Sequence, residues 1–346
     1  PTVMVRTELD ALPLRELTGL PYASQAQTEW NGRETYVMHA CGHDLHMTAW
    51  LGAAGALMAD KESWTGTLMF VAQPAEESGG GAQTMLDDGL FTRFPKPDYG
   101  FALHSAPVAA GTVQYRPGVL TSNSDGVTIT FKGRGGHGSD PSATIDPVLI
   151  ASRFVVEVQG VVSREKDPQA PGVITIGAIE GGSAGNIIPE QVVVRGTIRS
   201  FDPVTREKLK EGTARVARAS AAMAGAPEPE ITIGTTPYDA VVNDPELTGE
   251  IAETFHTVFG DRASLQTRPS TPSEDYSAFV NAGVERSLYF TIGVIDPATV
   301  AAAEAGGPPV AVNHSPQFAP LPEPAIRTGV KAMTLAVLHA LSRSPD

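Results

Sequence analysis

The alternation of apolar and polar positions divides the chain into three stretches. The first alternates strands and helices. Thr2–Leu9 opens with the apolar run Val3-Met4-Val5 and predicts a strand, Met47–Asp60 is Ala/Leu/Met-rich and predicts a helix, and Gly66–Gln73 predicts a buried strand. A short helix over Ala82–Leu90 and a strand over Asp98–Leu103 follow. Tyr22–Tyr36 is polar and aperiodic and predicts a loop. The second stretch has a different rhythm: a strand over Gly126–Lys132, a helix with an apolar stripe over Asp146–Arg164, strands over Gly172–Ile179 and Gln191–Arg199, a helix over Asp202–Ala224 and a strand over Pro229–Gly234. That β-α-β-β-α-β order predicts a ferredoxin-like α+β unit inserted into the first fold. The third stretch returns with helices over Asp244–Phe259 and Ser273–Asn281, a strand over Arg286–Ile295, a loop over Pro297–Pro309 and a closing helix over Glu323–Leu341. The pattern predicts an α/β domain in two parts, residues 1–121 and 237–346, around a satellite of residues 122–236.

Composition narrows the function. Of 346 residues, 41% are hydrophobic and 18% charged, which fits a globular protein of more than one core. A net charge of −14 argues against a nucleic-acid partner, which needs a basic surface. No apolar run reaches membrane-spanning length, so no membrane partner is expected. A single cysteine excludes an intramolecular disulfide framework and sets the cytoplasm as the expected compartment. Pro1 is followed at once by an apolar run, so the sequence is expected to begin inside a longer natural chain.

That cysteine lies in Met38-His39-Ala40-Cys41-Gly42-His43-Asp44-Leu45-His46, with three of the eight histidines. Thiolate and neutral imidazole hold zinc and other borderline-soft ions. Further metal-type residues stand at the ends of predicted strands: Glu76 and Glu77 in Pro74-Ala75-Glu76-Glu77-Ser78-Gly79-Gly80-Gly81, and His104 after Leu103; His314 sits in Asn313-His314-Ser315-Pro316. Adjacent carboxylates on extended backbone point to opposite sides, so Glu76 and Glu77 can do different jobs. If Glu76 is kept for proton transfer, Cys41, His43, Glu77, His104 and His314 remain. Five ligands exceed one tetrahedral ion with an open position but suit two ions sharing a bridge. Each feature also has a plainer reading: Cys41 as a small buried hydrophobe, His104 or His314 as a satisfied core histidine, Glu76-Glu77 as a helix start, Asp10 as a strand-end cap, and Gly135-Gly136-His137-Gly138 as a tight turn. Spacing alone also permits a cysteine nucleophile, Cys41 with His43.

Taken together, Arg6–Leu12, His39–His46, Gln73–Gly81, Leu103–His104, Gly133–Ser139, Asn186–Pro189, Ser273–Phe279 and Asn313–Phe318 resemble the signatures of the aminoacylase/carboxypeptidase metallopeptidase family. The resemblance is nearest to its amidohydrolase branch of hippurate hydrolases, N-acyl-amino-acid amidohydrolases and indoleacetyl-amino-acid hydrolases. It implies a catalytic domain with a mixed central sheet flanked by helices, of phosphorylase/hydrolase-like type, and a satellite that dimerises and acts as a lid. It implies two divalent ions per subunit (Zn²⁺, or Mn²⁺, Co²⁺ or Ni²⁺) on Cys41, His43, Glu77, His104 and His314, with Glu76 as catalytic base. Asp10 would orient a ligand, His137 would reach a neighbouring subunit's site and steady the oxyanion, and Asn186 would bind substrate. The substrate carboxylate needs a cation or donors, for which Arg199, Asn186 and Arg134 are candidates. The implied activity is hydrolysis of N-acyl amino acids; a carboxypeptidase or dipeptidase on short peptides, and a non-catalytic binder of acylated amino acids, are the alternatives. The chain departs from the branch at Glu8, where Asp is usual, at Leu45 and Met47, where smaller residues are common, and in lacking the N-terminal helical segment before Pro1.

Overall fold

The computed structural model describes residues 1–234 and 238–342 and divides into two compact units. The first comprises Pro1–Leu120, Val241–Pro269 and Asp275–Asp346, and the second Thr121–Ala240 with Ser270–Glu274. The expected end of the satellite at residue 236 lies outside the described residues.

The first unit begins with β1 (Thr2–Glu8), followed by α1 (His43–Ala59), β2 (Thr67–Gln73) and β3 (Tyr99–Ala109). β1 is buried from Val3 onward, as a strand covered on both faces must be, yet its last three residues are Arg6, Thr7 and Glu8. It pairs in parallel with β2 (Glu8 opposite Gln73) and with β3 (Val3 opposite Tyr99). α1 buries Leu45, Ala49, Ala53 and Leu57 on one stripe, and each fully buried leucine contributes about 1.5–3 kcal/mol.

The chain then builds the second unit: β4 (Asn123–Lys132), α2 (Pro147–Glu157), β5 (Gly172–Glu180), β6 (Gln191–Ser200), α3 (Pro203–Met223) and β7 (Glu230–Ile233). The four strands form an antiparallel sheet in the order β5-β6-β4-β7. Their inward residues, among them Val127, Ile129, Phe131, Val192, Val194 and Ile198, pack with Ile150 and Phe154 of α2 and Leu209 of α3 as a separate core.

The first unit is completed by α4 (Pro245–Phe259), β8 (Arg286–Ile295) and α5 (Pro322–Leu341). β8 runs parallel to β3, with Thr291 opposite His104. The short strand Val113–Tyr115 runs antiparallel to β8 and parallel to the edge strand Ala263–Leu265, which makes the six-stranded sheet mixed. Among the described residues no helix is long and apolar enough to cross a membrane.

Two expected loops contain regular structure. Tyr22–Tyr36 holds the hairpin Gln27–Trp30/Arg33–Tyr36, turned by Asn31 (φ 52°) and Gly32 (φ 73°). Two successive positive φ values are what a two-residue hairpin turn needs, and Asn-Gly supplies them cheaply. Pro297–Pro309 opens with the helix Pro297–Glu304, capped by Asp296 on the Ala298 N–H at 2.9 Å. The same Asp-Pro start recurs at Asp146, Asp202 and Asp244, each side chain accepting from N–H groups of its own helix. Two helices are shorter than expected: α2 ends at Glu157 before a π-turn over Val161–Glu165, and the helix expected from Ser273 starts at Ser277.

Candidate metal centre

The centre is assembled just past the C-terminal ends of β1 and β2, where α/β folds present their ligands, and midway along β3, which was expected to stop at Leu103 but stays paired with β8 as far as Ala109. β1 delivers Asp10, β2 runs into Glu76 and Glu77, and β3 carries His104. Gly42, with φ +84°, turns the chain between Cys41 and α1, so Cys41 ends the turn and His43 opens the helix. His314, in the left-handed region at φ 68°, donates its backbone N–H to the Ala40 carbonyl at 2.8 Å. Ala75, at φ 57°, is a second non-glycine residue held in that region, directly before Glu76.

All five expected ligands meet here. The ligand atoms of Cys41, His43 and His104 all lie within 4.8 Å of one another, and so do those of Cys41, Glu77 and His314. The two triads share the Cys41 sulfur. Glu76, 7% exposed, forms a third such group with His43 and Glu77. The His43 Nδ1–H donates to the Asp10 carbonyl at 2.8 Å, with the Asp10 carboxylate Oδ1 at 3.5 Å, so Nε2 is left for a ligand. Asp10 Oδ2 accepts the Glu77 backbone N–H at 2.8 Å, so this one residue touches two of the five. The His104 Nδ1–H donates to the Ser105 carbonyl at 2.8 Å, which turns Nε2 toward Cys41 Sγ at 3.4 Å.

Three buried atoms in the centre, Asp10 Oδ1, His43 Nε2 and Glu77 Oε1, make no hydrogen bond among the described residues, and Glu77 Oε1 has only the ion-pair distance of 3.3 Å to His314 Nε2. An unpaired buried acceptor is costly unless a cation or donor takes it. With a thiolate, imidazoles and carboxylates converging on the same space, the donor set fits two borderline divalent ions.

The electrostatics agree. Burial pushes the Cys41 thiol far up, and the Glu77 and Glu76 carboxylates push it further. A protonated, buried thiol is a poor nucleophile, and the imidazole within hydrogen-bond reach of its sulfur is that of His104, at 3.4 Å. Burial lowers the His43 pKa, but the Asp10 hydrogen bond, Glu8 and Glu77 outweigh it and raise it to about 9. Glu77 is held below the ordinary carboxylate range: burial opposes this, and His314 at 3.3 Å and His43 prevail. The cluster is thus short of positive charge, which a proton on His43 or a metal ion supplies.

The other expected site residues lie in the second unit. His137 and Asn186 are neighbours: Gly136–His137 pairs with Ile187–Ile188, and the Gly138 N–H donates to the Asn186 carbonyl at 2.9 Å. Arg134 lies in the same turn, its Nε donating to the Ala143 carbonyl at 2.8 Å. Arg199 is not with them. It sits eight residues beyond Gln191 along β6, roughly 26 Å at about 3.3 Å per residue, donating to Ser273 Oγ and, at 3.3 Å, to the Thr271 carbonyl.

Beneath the centre lies a polar network that sequence reasoning missed. Glu8, fully buried, is ion-paired with Arg6, accepts from Tyr289 OH at 3.2 Å and lies 3.1 Å from His46 Nδ1. Arg6 also donates to Gln73 at 2.8 Å and Asp275 at 3.1 Å. His46 Nε2 accepts the Ser105 N–H at 2.8 Å, so its proton sits on Nδ1 facing Glu8. Burial keeps this imidazole neutral, its pKa lowered to about 3. The available signal was Arg6-Thr7-Glu8 closing a strand buried on both faces.

Known proteins share this architecture. Over 285 residues the chain is 36% identical to an N-acetyl-L-cysteine deacetylase of Bacillus subtilis, covering 81% of this chain and 64% of that protein. It is 37% identical over 278 residues to a hippurate hydrolase of Campylobacter jejuni, covering 80% and 69%, and 34% identical over 295 residues to a thermostable carboxypeptidase of Saccharolobus solfataricus, covering 84% and 71%. The match thus spans about two thirds of the length of these relatives. Among solved structures, a putative aminohydrolase from methicillin-resistant Staphylococcus aureus superposes with a TM-score of 0.83 at 30% identity, over 99% of this chain and 82% of that one. A dinuclear metal-binding peptidase from Bacillus subtilis superposes with a TM-score of 0.77 at 26% identity, with the same coverage. The model of the peptidase family M20/M25/M40 matches from residue 4 to residue 339, across both units, and the chain belongs to that family.

Proposed function

We propose that the protein is a dinuclear metal-dependent amidohydrolase acting on N-acyl amino acids. The observation that carries this reading is the pair of ligand triads meeting at Cys41 with Glu76 beside them. When bound, two divalent ions polarise the scissile carbonyl and acidify a water. Cys41, His43, Glu77, His104 and His314 would hold them. Glu76 takes the proton from the attacking water and returns it to the leaving amine nitrogen. Asp10 keeps His43 in the tautomer with Nε2 open and fixes the Glu77 backbone. The strand order β5-β6-β4-β7 with two helices supports a ferredoxin-like satellite. We assign it to dimerisation, with His137 and Asn186 offered to a neighbouring subunit's centre and Arg199 to the substrate carboxylate.

A second reading, a carboxypeptidase on short peptides, is favoured by the relative of that name. Hydrolysis of benzoyl-, acetyl- and indoleacetyl-amino acids is measured beside dipeptides, with metal analysis, for wild type and Glu76→Gln. The variant should keep about two metals per chain and lose about 10²–10⁴ in kcat. A variant as active as wild type sinks the role of Glu76. Wild type that takes up no metal sinks the centre, and turnover of dipeptides alone moves the assignment to the second reading.

A further inference from the structure

We propose that Ser105 and Asn313 form a positioning clamp that fixes the Cys41 and His104 ligand atoms before a cation arrives. The proposal rests on the metal-centre reading above and concerns two residues with no ligand atom in it. Ser105 is 3% exposed and uses every polar group it has. Its N–H donates to His46 Nε2 at 2.8 Å, its hydroxyl donates to the Cys41 carbonyl at 2.8 Å, and its carbonyl accepts the His104 Nδ1–H at 2.8 Å. The last bond decides which nitrogen of His104 faces Cys41.

Asn313 closes the arrangement from a remote part of the chain. Its Nδ2 donates to the Cys41 carbonyl at 3.1 Å and lies 3.2 Å from Ser105 Oγ and 3.4 Å from the Ser105 carbonyl. Both carbonyls can only accept, so the amide nitrogen must face them and the side-chain orientation is fixed. The same nitrogen is 3.9 Å from Cys41 Sγ, the outer limit of an N–H···S contact. The next residue, His314, is tied to Ala40 through its backbone N–H at 2.8 Å. One serine and one amide thus join the Cys41 turn, the middle of the His104 strand and the His314 turn. The fit is close: a Cβ on Gly42 would lie 2.6 Å from Ser105 Oγ.

Partners that orient metal ligands typically cost 10- to 100-fold in affinity when removed. A merely structural role would lower the melting temperature and leave the metal's environment alone. The test compares wild type, Ser105→Ala, Asn313→Leu, Asn313→Asp and the double variant Ser105→Ala with Asn313→Leu. Read out are Zn²⁺ affinity of the stripped protein by competition with a chromophoric chelator, the near-ultraviolet thiolate-to-Co²⁺ charge-transfer band of the cobalt-loaded protein, and the melting temperature of the stripped protein. We expect each single variant to lose about 10- to 100-fold in affinity and to shift or weaken the cobalt band. The melting temperature should move by only a few degrees, and the double variant should lose less than the product of the singles, since both act on the same two ligands. Affinity within about twofold of wild type with an unchanged band overturns the clamp. So does a loss of affinity matched by a collapse of the fold in all variants, including the isosteric Asn313→Asp, which sets a carboxylate oxygen against two carbonyls. Wild type that binds neither Zn²⁺ nor Co²⁺ fails the metal centre, and the clamp with it.

Discussion

Glu8→Gln tests whether the network under the centre is a permanent charge balance. The substitution keeps the shape of a fully buried side chain and removes its charge. In wild type, burial pushes the Glu8 carboxyl up, but Arg6 first and His46 second outweigh it and hold it well below its ordinary value. Breaking a buried ion pair by removing one partner costs about 3–5 kcal/mol. Arg6 keeps Asp275 at 3.1 Å, so the low end, about 3 kcal/mol, is expected. A carboxylate whose folded pKa is depressed contributes stability that is fully present above its unfolded pKa of about 4.3 and is lost as pH falls through the folded value. Glutamine does not titrate. The gap between wild type and variant should therefore be constant from pH 7 down to about 5.5 and shrink below about 4.5. Trp30, Trp50 and Trp64 all lie in the first unit, so tryptophan fluorescence in urea reports that unit's unfolding alone. Chelator-treated protein removes any contribution from bound metal. A gap under about 1 kcal/mol at pH 7, or one that widens on acidification, refutes the argument.

Zn²⁺ uptake should release protons, because His43, raised to about 9, and Cys41, pushed far up, must both lose theirs to ligate. Apparent affinity should fall between pH 9 and pH 6 by about tenfold per unit for each proton displaced; calorimetry in two buffers of different ionisation enthalpy measures the release, and a flat pH profile contradicts it. In the second unit, Arg206 grips the buried Asp125 with two bonds, at 2.7 and 2.9 Å. Arg206→Met should cost that unit about 3 kcal/mol, visible by far-ultraviolet circular dichroism with tryptophan fluorescence unmoved; coincident loss of both signals would contradict it.

What the sequence made legible was local. The period-two and helical runs from Gly126 to Gly234 give the order of the second unit's elements, and the strand-end placement of Glu76 and Glu77 gives part of the centre; His104 belongs to it too, but from within a strand that runs on to Ala109. The Asn31-Gly32 turn and the Asp296-Pro297 helix start were present as signals too, but polar or alanine-rich surroundings hid them. The buried network was not legible, because its partners are far apart in the chain: Glu8 meets His46 across 38 residues and Tyr289 across 281. Ser105 and Asn313 carry no composition signal at all, since a serine and an asparagine acquire meaning only from the carbonyls they face. The separation of Arg199 from His137 and Asn186 follows from strand length, which motif spacing does not encode.

The network also explains which acids near His43 can serve a cation. Glu8, His43 and His46 lie as close together as the two Cys41 triads do. Yet Glu8 is neutralised by Arg6 and bonded by Tyr289, while His46 spends Nε2 on Ser105 and Nδ1 on Glu8. No lone pair of His46 is left over. Glu77 differs: among the described residues its Oε1 makes no hydrogen bond, faces only His314 Nε2 at 3.3 Å as an ion-pair partner, and has no arginine or lysine paired to it. Its compensation comes from His43 and His314, histidines that can surrender their protons, whereas Glu8 is compensated by an arginine that cannot. The acidic charge of the region therefore falls into two layers. The lower is balanced permanently by a fixed cation. The upper is balanced by protons that exchange, and a site balanced by exchangeable protons is one that a divalent ion can enter without leaving an uncompensated charge behind.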